Sequence, residues 1–193
     1  TFPGPASGLI MTNDKYLHDM METEINPKYL RHSQMHQKIS LLFALIEFEK
    51  YGSGYMSHMV HCANYLGANL RDRGYDVADV HGQISATHQI FIRCSKEEMD
   101  TIYDNAYKCE VTLNKKHKQL FYGYGIRLGT QEIARYDWND AALDTITEIL
   151  VHLSNKDIDI DTVRRLIDSL PPKKIHYAFS EDVISRFNEL YMN

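Results

Sequence analysis

Arg127 is the side chain whose type and surroundings point most directly to chemistry. It stands in the segment 124–129 (YGIRLG), which is otherwise apolar and contains two further glycines. A guanidinium presents a planar fork of donors that matches a carboxylate through two parallel hydrogen bonds. An arginine on an edge strand with its head in water fits the same pattern. The residue alone therefore leaves a carboxylate-binding role and a solvated role open.

A second group of polar side chains, Arg31, His32 and Ser33, comes just before a long apolar helix predicted to begin at residue 34. Backbone amides at a helix N-terminus and basic side chains favour an anion such as phosphate, although an ordinary solvated cap fits equally. His32 and His36 have i, i+4 spacing, but no HExxH motif and no evident third ligand accompany them. We predict no metal site.

The first eight residues (TFPGPASG) hold two prolines and two glycines. This composition predicts a tight turn in which a residue such as Gly4 lets the backbone approach a ligand closely. The apolar residues Leu9, Ile10 and Met11 predict a buried strand after it. A plain surface turn before a strand is the other interpretation.

The elements that must position these residues are predicted from the spacing of apolar side chains. The break at Gly52-Ser53-Gly54 separates two long helices, and the helix before it is apolar nearly all round. A small sheet backed by helices is expected after residue 74. The predicted helices are 13–23, 34–51, 55–73, 96–107, 139–153, 162–170 and 180–191, and the predicted strands are 77–80, 87–94, 110–114 and 124–129.

Composition narrows the class of protein. The chain has 193 residues, 44% of them hydrophobic, and a formal net charge of -5, so it can bury a core and offers little support for nucleic-acid binding. Its three cysteines show no CxxC spacing, which favours a reducing, cytoplasmic compartment. No apolar run reaches the length of a membrane span. Motifs of nucleotide-triphosphatases, dinucleotide-binding proteins and serine hydrolases are missing.

Several segments, taken in order, resemble serine hydroxymethyltransferase, particularly its archaeal-type branch. The first five residues (TFPGP) match those after the cofactor lysine in that family's HKTFPGP-like motif, and segment 125–132 (GIRLGTQE) resembles its GIRIG segment. Residues 113–115 (LNK), 85–92 and 175–177 (IHY) are similar to further family segments. The resemblance extends to about residue 179.

The resemblance implies an α/β fold: the C-terminal part of a fold type I pyridoxal-phosphate enzyme. Residues 1–50 would end the large cofactor-binding domain and form the connecting helix. Residues 51–154 would form the small α/β sandwich domain, and 155–193 a helical tail.

The resemblance also implies site residues. The cofactor lysine would immediately precede Thr1, placing Thr1 in the catalytic site, and Gly4 would let the loop approach the cofactor. Arg127 would hold the substrate carboxylate. The phosphate would face Arg31, His32 and Ser33, across the interface of a homodimer or a dimer of dimers.

The implied reaction acts on the Cα–Cβ bond of a β-hydroxy amino acid, converting serine to glycine with a tetrahydrofolate or tetrahydropterin carrier. Three departures leave a threonine aldolase or transaldolase without folate open. Residues 30–33 (LRHS) stand where common bacterial and eukaryotic members have QGGP, Ala6 replaces an arginine, and loop 117–124 lacks the proline pattern usual near folate. A non-catalytic fragment or binding module without the lysine is the alternative from another class.

Overall fold

The computed structural model describes residues 4–6, 8, 10–29, 34–118, 123–176 and 180–192. The chain divides into two compact units, Thr1–Tyr51 with Phe179–Asn193, and Gly52–Ala178. The three-part domain division expected from the resemblance stays a prediction.

The described elements combine helices with one small sheet. The helices are α1 (Lys15–Met20), α2 (Asn26–Tyr29), α3 (Met35–Asp72), α4 (Lys96–Lys108), α5 (Gln131–Arg135), α6 (Asp140–Leu153), α7 (Ile160–Asp168) and α8 (Glu181–Met192), with a π-helical turn at Met21–Ile25, and the strands are β1 (Asp76–Val77), β2 (Gln89–Cys94), β3 (Asn114–Lys118) and β4 (Gly123–Gly129).

The first unit is helical. The first half of α3 contacts α8 through stacked rings of Phe43 and Phe187, whose centroids lie 4.1 Å apart. The predicted buried strand is wrong at Ile10 and Met11, which are 73% and 81% exposed and form no strand. Leu9 lies outside the described residues. An apolar run becomes a strand only where another strand pairs with its backbone, and no strand of the described residues does so here.

The first predicted helix does not end before Asn26-Pro27, because helical structure continues to Tyr29. Its path widens into a π-helical turn, in which the Asn26 N–H bonds to the Met21 carbonyl. A proline has no N–H to donate, so it interrupts an ordinary helix. The change of hydrogen-bond register just before Pro27 accommodates that interruption.

The predicted break at residues 52–54 is also wrong, since α3 is one helix of 38 residues. A glycine inside a helix costs about 1 kcal/mol relative to alanine. Burial offsets this cost, because Gly52, Tyr55 and Met59 are all buried. Tertiary packing overrides the local signal.

The second unit contains a four-stranded antiparallel sheet with strand order β1-β2-β4-β3. One face forms the core through alternating positions of the two inner strands, Ile90 and Ile92 on β2 and Ile126 and Leu128 on β4. Helices α3, α4, α6 and α7 cover this face, contributing Leu66, Leu70, Met99, Ile102, Ile149, Leu150, Leu153 and Val163. The predicted sheet backed by helices is confirmed.

The strand predicted at 110–114 begins only at Asn114, so that prediction is wrong for most of its length. Glu110 has a positive φ of 59° and belongs to the turn that ends α4. The Val111 N–H bonds back to the Ala106 carbonyl at 2.8 Å, and Val111 packs on the core. Val111 is apolar because it packs against the core, and not because it belongs to a strand. The actual edge strand is lysine-rich, which is typical of protected sheet edges.

Candidate substrate site

The structure places Arg127 on an inner strand. Its register partners are Phe91 on β2 and Asn114 on β3, so the edge-strand interpretation is wrong. Because side chains alternate along a strand, Arg127 points away from the face that carries Ile126 and Leu128. Those two buried neighbours hold the strand against the core.

The Arg127 guanidinium has no partner among the described residues. No group in that part of the chain forms a hydrogen bond or an ion pair with it, although the side chain is half-buried. A half-buried charge without a partner costs free energy, and a bound anion would remove that cost. The arginine is therefore available for a ligand.

Thr130, which follows β4 directly, fixes the end of the strand. It is fully buried, and its hydroxyl donates to the Met59 carbonyl of α3 at 3.0 Å. Its N–H donates to the His88 carbonyl at 3.0 Å. The Tyr55 hydroxyl donates to the Gln131 carbonyl at 3.2 Å, so α3 also holds the start of α5.

The loop before β2 is held by a polar network. The Asn64 side-chain amide donates to the Ser85 carbonyl at 2.8 Å and accepts from the Ser85 N–H at 3.3 Å. The Ser85 hydroxyl in turn donates to the Thr87 carbonyl at 3.0 Å and accepts from the Thr87 N–H at 3.1 Å. These bonds fix the backbone that leads into His88.

A cleft of about 1120 Å³ opens at this end of the sheet. Its polar end is lined by His88, Gln89, Asn114, Arg127 and Gln131. Apolar side chains of α6 and α7 line another part. The lining also contains the charged residues Glu110, Glu132, Arg164, Asp168 and Lys173. A cleft that combines apolar walls with polar and charged groups is a candidate small-molecule site.

His88 adds a second titratable group beside Arg127. Burial lowers the pKa of its imidazole, and the positive charge of Arg127 lowers it further. The imidazole therefore favours its neutral form, which can donate through one nitrogen and accept through the other. His88 was not among the site residues predicted from the sequence, although it stands at the start of an alternating strand and lies in segment 85–92, one of the segments that carry the family resemblance.

Gly129 and Gln131 are close neighbours at the mouth of the cleft. A Cβ placed on Gly129 would lie 2.5 Å from the Gln131 Oε1 atom, so a side chain at residue 129 would displace it. That oxygen is buried and has no hydrogen-bond partner among the described residues. The glycine thus makes room for a polar atom that can accept from a ligand.

The other predicted site residues are less completely described. Gly4 lies in a bend of the first unit and is half-buried. Thr1, Arg31, His32 and Ser33 lie outside the described residues. Because Gly4 and Arg127 belong to different units, their assembly into one site stays a prediction.

Two features of the described residues concern metal sites and membrane spans. No three histidine, cysteine, aspartate or glutamate side chains in them are grouped so that they could hold a metal ion. No described helix is both long and apolar enough to cross a membrane.

Comparison with known proteins gives relatives along nearly the whole chain, although no family model matches it. Serine hydroxymethyltransferase of Methanobrevibacter smithii is 28% identical over 202 aligned residues, covering 98% of this chain and 46% of the relative. The L-threonine:uridine-5'-aldehyde transaldolase of a Streptomyces species is 28% identical over 160 residues, covering 79% and 37%. The chain thus spans about half the length of the curated relatives it matches.

A solved structure shares the fold. L-Threonine transaldolase of Pseudomonas fluorescens, in its internal aldimine state, superposes with a TM-score of 0.75 at 18% identity, over 97% of this chain and 46% of that one. The predicted fold class and the family resemblance of the sequence motifs are confirmed. The chain is thus similar, over about half their length, to serine hydroxymethyltransferases, and it shares the fold of a threonine transaldolase.

Proposed function

We propose that the whole protein containing this chain is a pyridoxal-phosphate enzyme that breaks and forms the Cα–Cβ bond of a β-hydroxy amino acid, converting serine to glycine with a pterin carrier. One observation carries the proposal. Arg127, a residue of an inner strand, lines a cleft, and no described residue forms a hydrogen bond or an ion pair with its guanidinium.

Arg127 binds the α-carboxylate of the amino acid. Its fork donates two parallel hydrogen bonds, which fix the direction of the substrate as well as its position. A fixed direction determines which bond at Cα is broken. Buried Thr130, between β4 and α5, bonds to α3 and so helps to keep the arginine in place.

The described residues fit the substrate side of this chemistry. A guanidinium that no described residue pairs suits a carboxylate, and the lowered pKa of His88 favours a neutral imidazole, which adds no second positive charge. Pyridoxal phosphate, when bound, supplies an electron sink for the electron pair of the broken bond. We infer from the motif resemblance that Thr1 lies beside the cofactor lysine, that Gly4 allows close approach, and that Arg31, His32 and Ser33 hold the phosphate.

A transaldolase that transfers glycine from threonine to an aldehyde is the second candidate. It is supported by the two transaldolases among the similar proteins. The two candidates differ in the amino-acid donor, serine or threonine, and in the acceptor, a pterin carrier or an aldehyde. Both need Arg127 to hold the carboxylate of the amino acid. Both are also compatible with the inferred homodimer or dimer of dimers in the cytoplasm.

The test uses the whole protein loaded with pyridoxal phosphate. Glycine formation is measured from serine and acetaldehyde release from threonine, each with and without a tetrahydrofolate or tetrahydropterin carrier and with and without an added aldehyde. Serine turnover that strictly requires a carrier supports the hydroxymethyltransferase, whereas carrier-independent threonine turnover that rises with an added aldehyde supports the transaldolase. The absence of both glycine from serine and acetaldehyde from threonine, with or without carrier and aldehyde, contradicts the proposal.

The non-catalytic alternative is tested separately. A lysine immediately before Thr1 in the whole protein, carrying the cofactor in intact-mass measurements, supports the enzyme. Any other residue at that place supports a binding module.

A further inference from the structure

The face of the sheet that carries Arg127 also carries other cations. Two adjacent rows cross it by register: Phe91, Arg127 and Asn114 form one, and Arg93, Gly125 and Lys116 the next. We call these two rows the cationic sheet face. Diagonal neighbours on such a face lie about 7–8 Å apart, so Lys116 and Arg127 can reach one ligand.

The direction of Lys116 follows from its neighbour on the edge strand. The Lys115 ammonium lies 3.2 Å from Asp100 and 4.4 Å from the centre of the Tyr103 ring, so it points toward α4. Successive strand residues point to opposite faces. Lys116 therefore points to the side of Arg127.

The three cations of this face differ in their partners. Arg93 donates to the Asp76 carboxylate at 2.9 Å and is neutralised by it. Lys116 is half-buried, like Arg127, and no described residue forms a hydrogen bond or an ion pair with either. Gly125 lies across from Lys116 and has no side chain to fill the space between the two strands.

Lys116 and Arg127 are neighbouring, half-buried cations to which no described residue supplies a counter-charge. Their mutual repulsion destabilises the sheet unless another group compensates it. A solvated lysine on an edge strand deters pairing with other chains, but Lys116 is half-buried rather than fully solvated. An anionic ligand with two acidic groups would compensate both charges at once.

We infer that Lys116 forms a second anion subsite beside Arg127, so that the site takes a ligand with a second acidic group, carboxylate or phosphate. The inference rests on the proposed function, because it assumes that Arg127 binds the α-carboxylate of the ligand. It names the substrate class: an amino acid or acceptor with an additional negative charge. Lys116 contacts the ligand and sets specificity.

The test measures equilibrium binding by calorimetry to the whole, cofactor-loaded protein. The probes are L-serine, O-phospho-L-serine and L-glutamate, which separate a phosphate from a carboxylate as the second acidic group. At least one dianionic probe should bind about tenfold or more tightly than L-serine, as expected for an added hydrogen bond to a charged group. Lys116→Gln should remove this preference and leave L-serine binding within twofold.

Lys115→Gln is the matched control, because it removes the same charge from the opposite face of the strand. The inference is overturned if neither dianionic probe is preferred, or if the two lysine variants lose the preference equally. If L-serine binding depends on Arg127 but neither dianionic probe is preferred, the Lys116 subsite is contradicted and the proposed function is not. L-Serine binding that ignores Arg127 contradicts the proposed function itself, and failure of all three probes to bind overturns both.

Discussion

Arg127 and Arg93 lie on the same face of one sheet, on its two inner strands, but they differ in whether a carboxylate pairs with them. Arg93 pairs with Asp76, its register partner on β1, whereas Arg127 pairs with no described residue and lines the cleft. A strand position determines the direction of a side chain. A neighbouring carboxylate determines whether its charge remains available. The end of the sheet with Arg127 is therefore suited to a ligand, and the end with Arg93 to structure.

The largest expected effect separates these two arginines by the same substitution. Arg127→Gln should lower kcat/KM for serine or threonine by about a hundredfold or more, because two charge-assisted hydrogen bonds to the carboxylate are lost. Arg93→Gln should leave kcat/KM within about twofold. Steady-state kinetics of the whole protein, with cofactor content measured in each variant, check this. Equal losses in the two variants would contradict the distinction between the two ends.

The next effect concerns the support of the Arg127 end. Thr130→Val removes the buried hydroxyl that bonds the Met59 carbonyl and should destabilise the protein by about 1–3 kcal/mol. Thr130→Ser keeps the hydroxyl and should cost about 1 kcal/mol or less. Urea unfolding of both variants measures the difference. If valine proves no worse than serine, the hydroxyl does not support this end.

A smaller effect is expected where the charges are already paired. Asp76→Asn releases Arg93 and should cost about 0.2–1 kcal/mol, since exposed ion pairs contribute little. Urea unfolding in low and high salt measures it, and the cost should shrink as salt screens the pair. A loss above about 2 kcal/mol would show that the Arg93 end depends on this pair far more than ordinary surface pairs do.

The smallest effect is a pH dependence from His88. Its pKa is lowered in the folded protein, so the unfolded chain binds the proton more readily. This histidine therefore contributes stability above its unfolded pKa of about 6.5 that is lost as pH falls through the folded pKa. Between pH 7.5 and pH 5, the free energy of unfolding should fall less in the His88→Gln variant than in the unchanged protein. An identical or steeper loss in the variant would contradict this role.

Local patterns predicted most of the second unit. Ser95 and Glu98 form the capping box that starts α4, and Asn139 caps α6, as their types suggest. The inner strands were visible because Ile90, Ile92 and the residues of β4 alternate. These signals depend on residues near one another in sequence.

The rest depends on contacts between distant residues. The continuity of α3 through Gly52 comes from burial, and the strand at 114–118 from pairing with β4, so neither is visible in a short window. Arg127 was found as a candidate from its type and its glycines. Its lack of a partner among the described residues, the nearby His88 and the anchor at Thr130 needed the three-dimensional arrangement.

The most direct test of the role of Arg127 compares L-serine with L-serinamide, which lacks the carboxylate charge. Calorimetric binding is measured to the cofactor-loaded whole protein and to its Arg127→Gln variant. The unchanged protein should bind L-serine far more tightly than the amide, by about a hundredfold, and the variant should bind the two within about threefold. A variant that keeps the full preference for L-serine would contradict the claim that Arg127 holds the carboxylate.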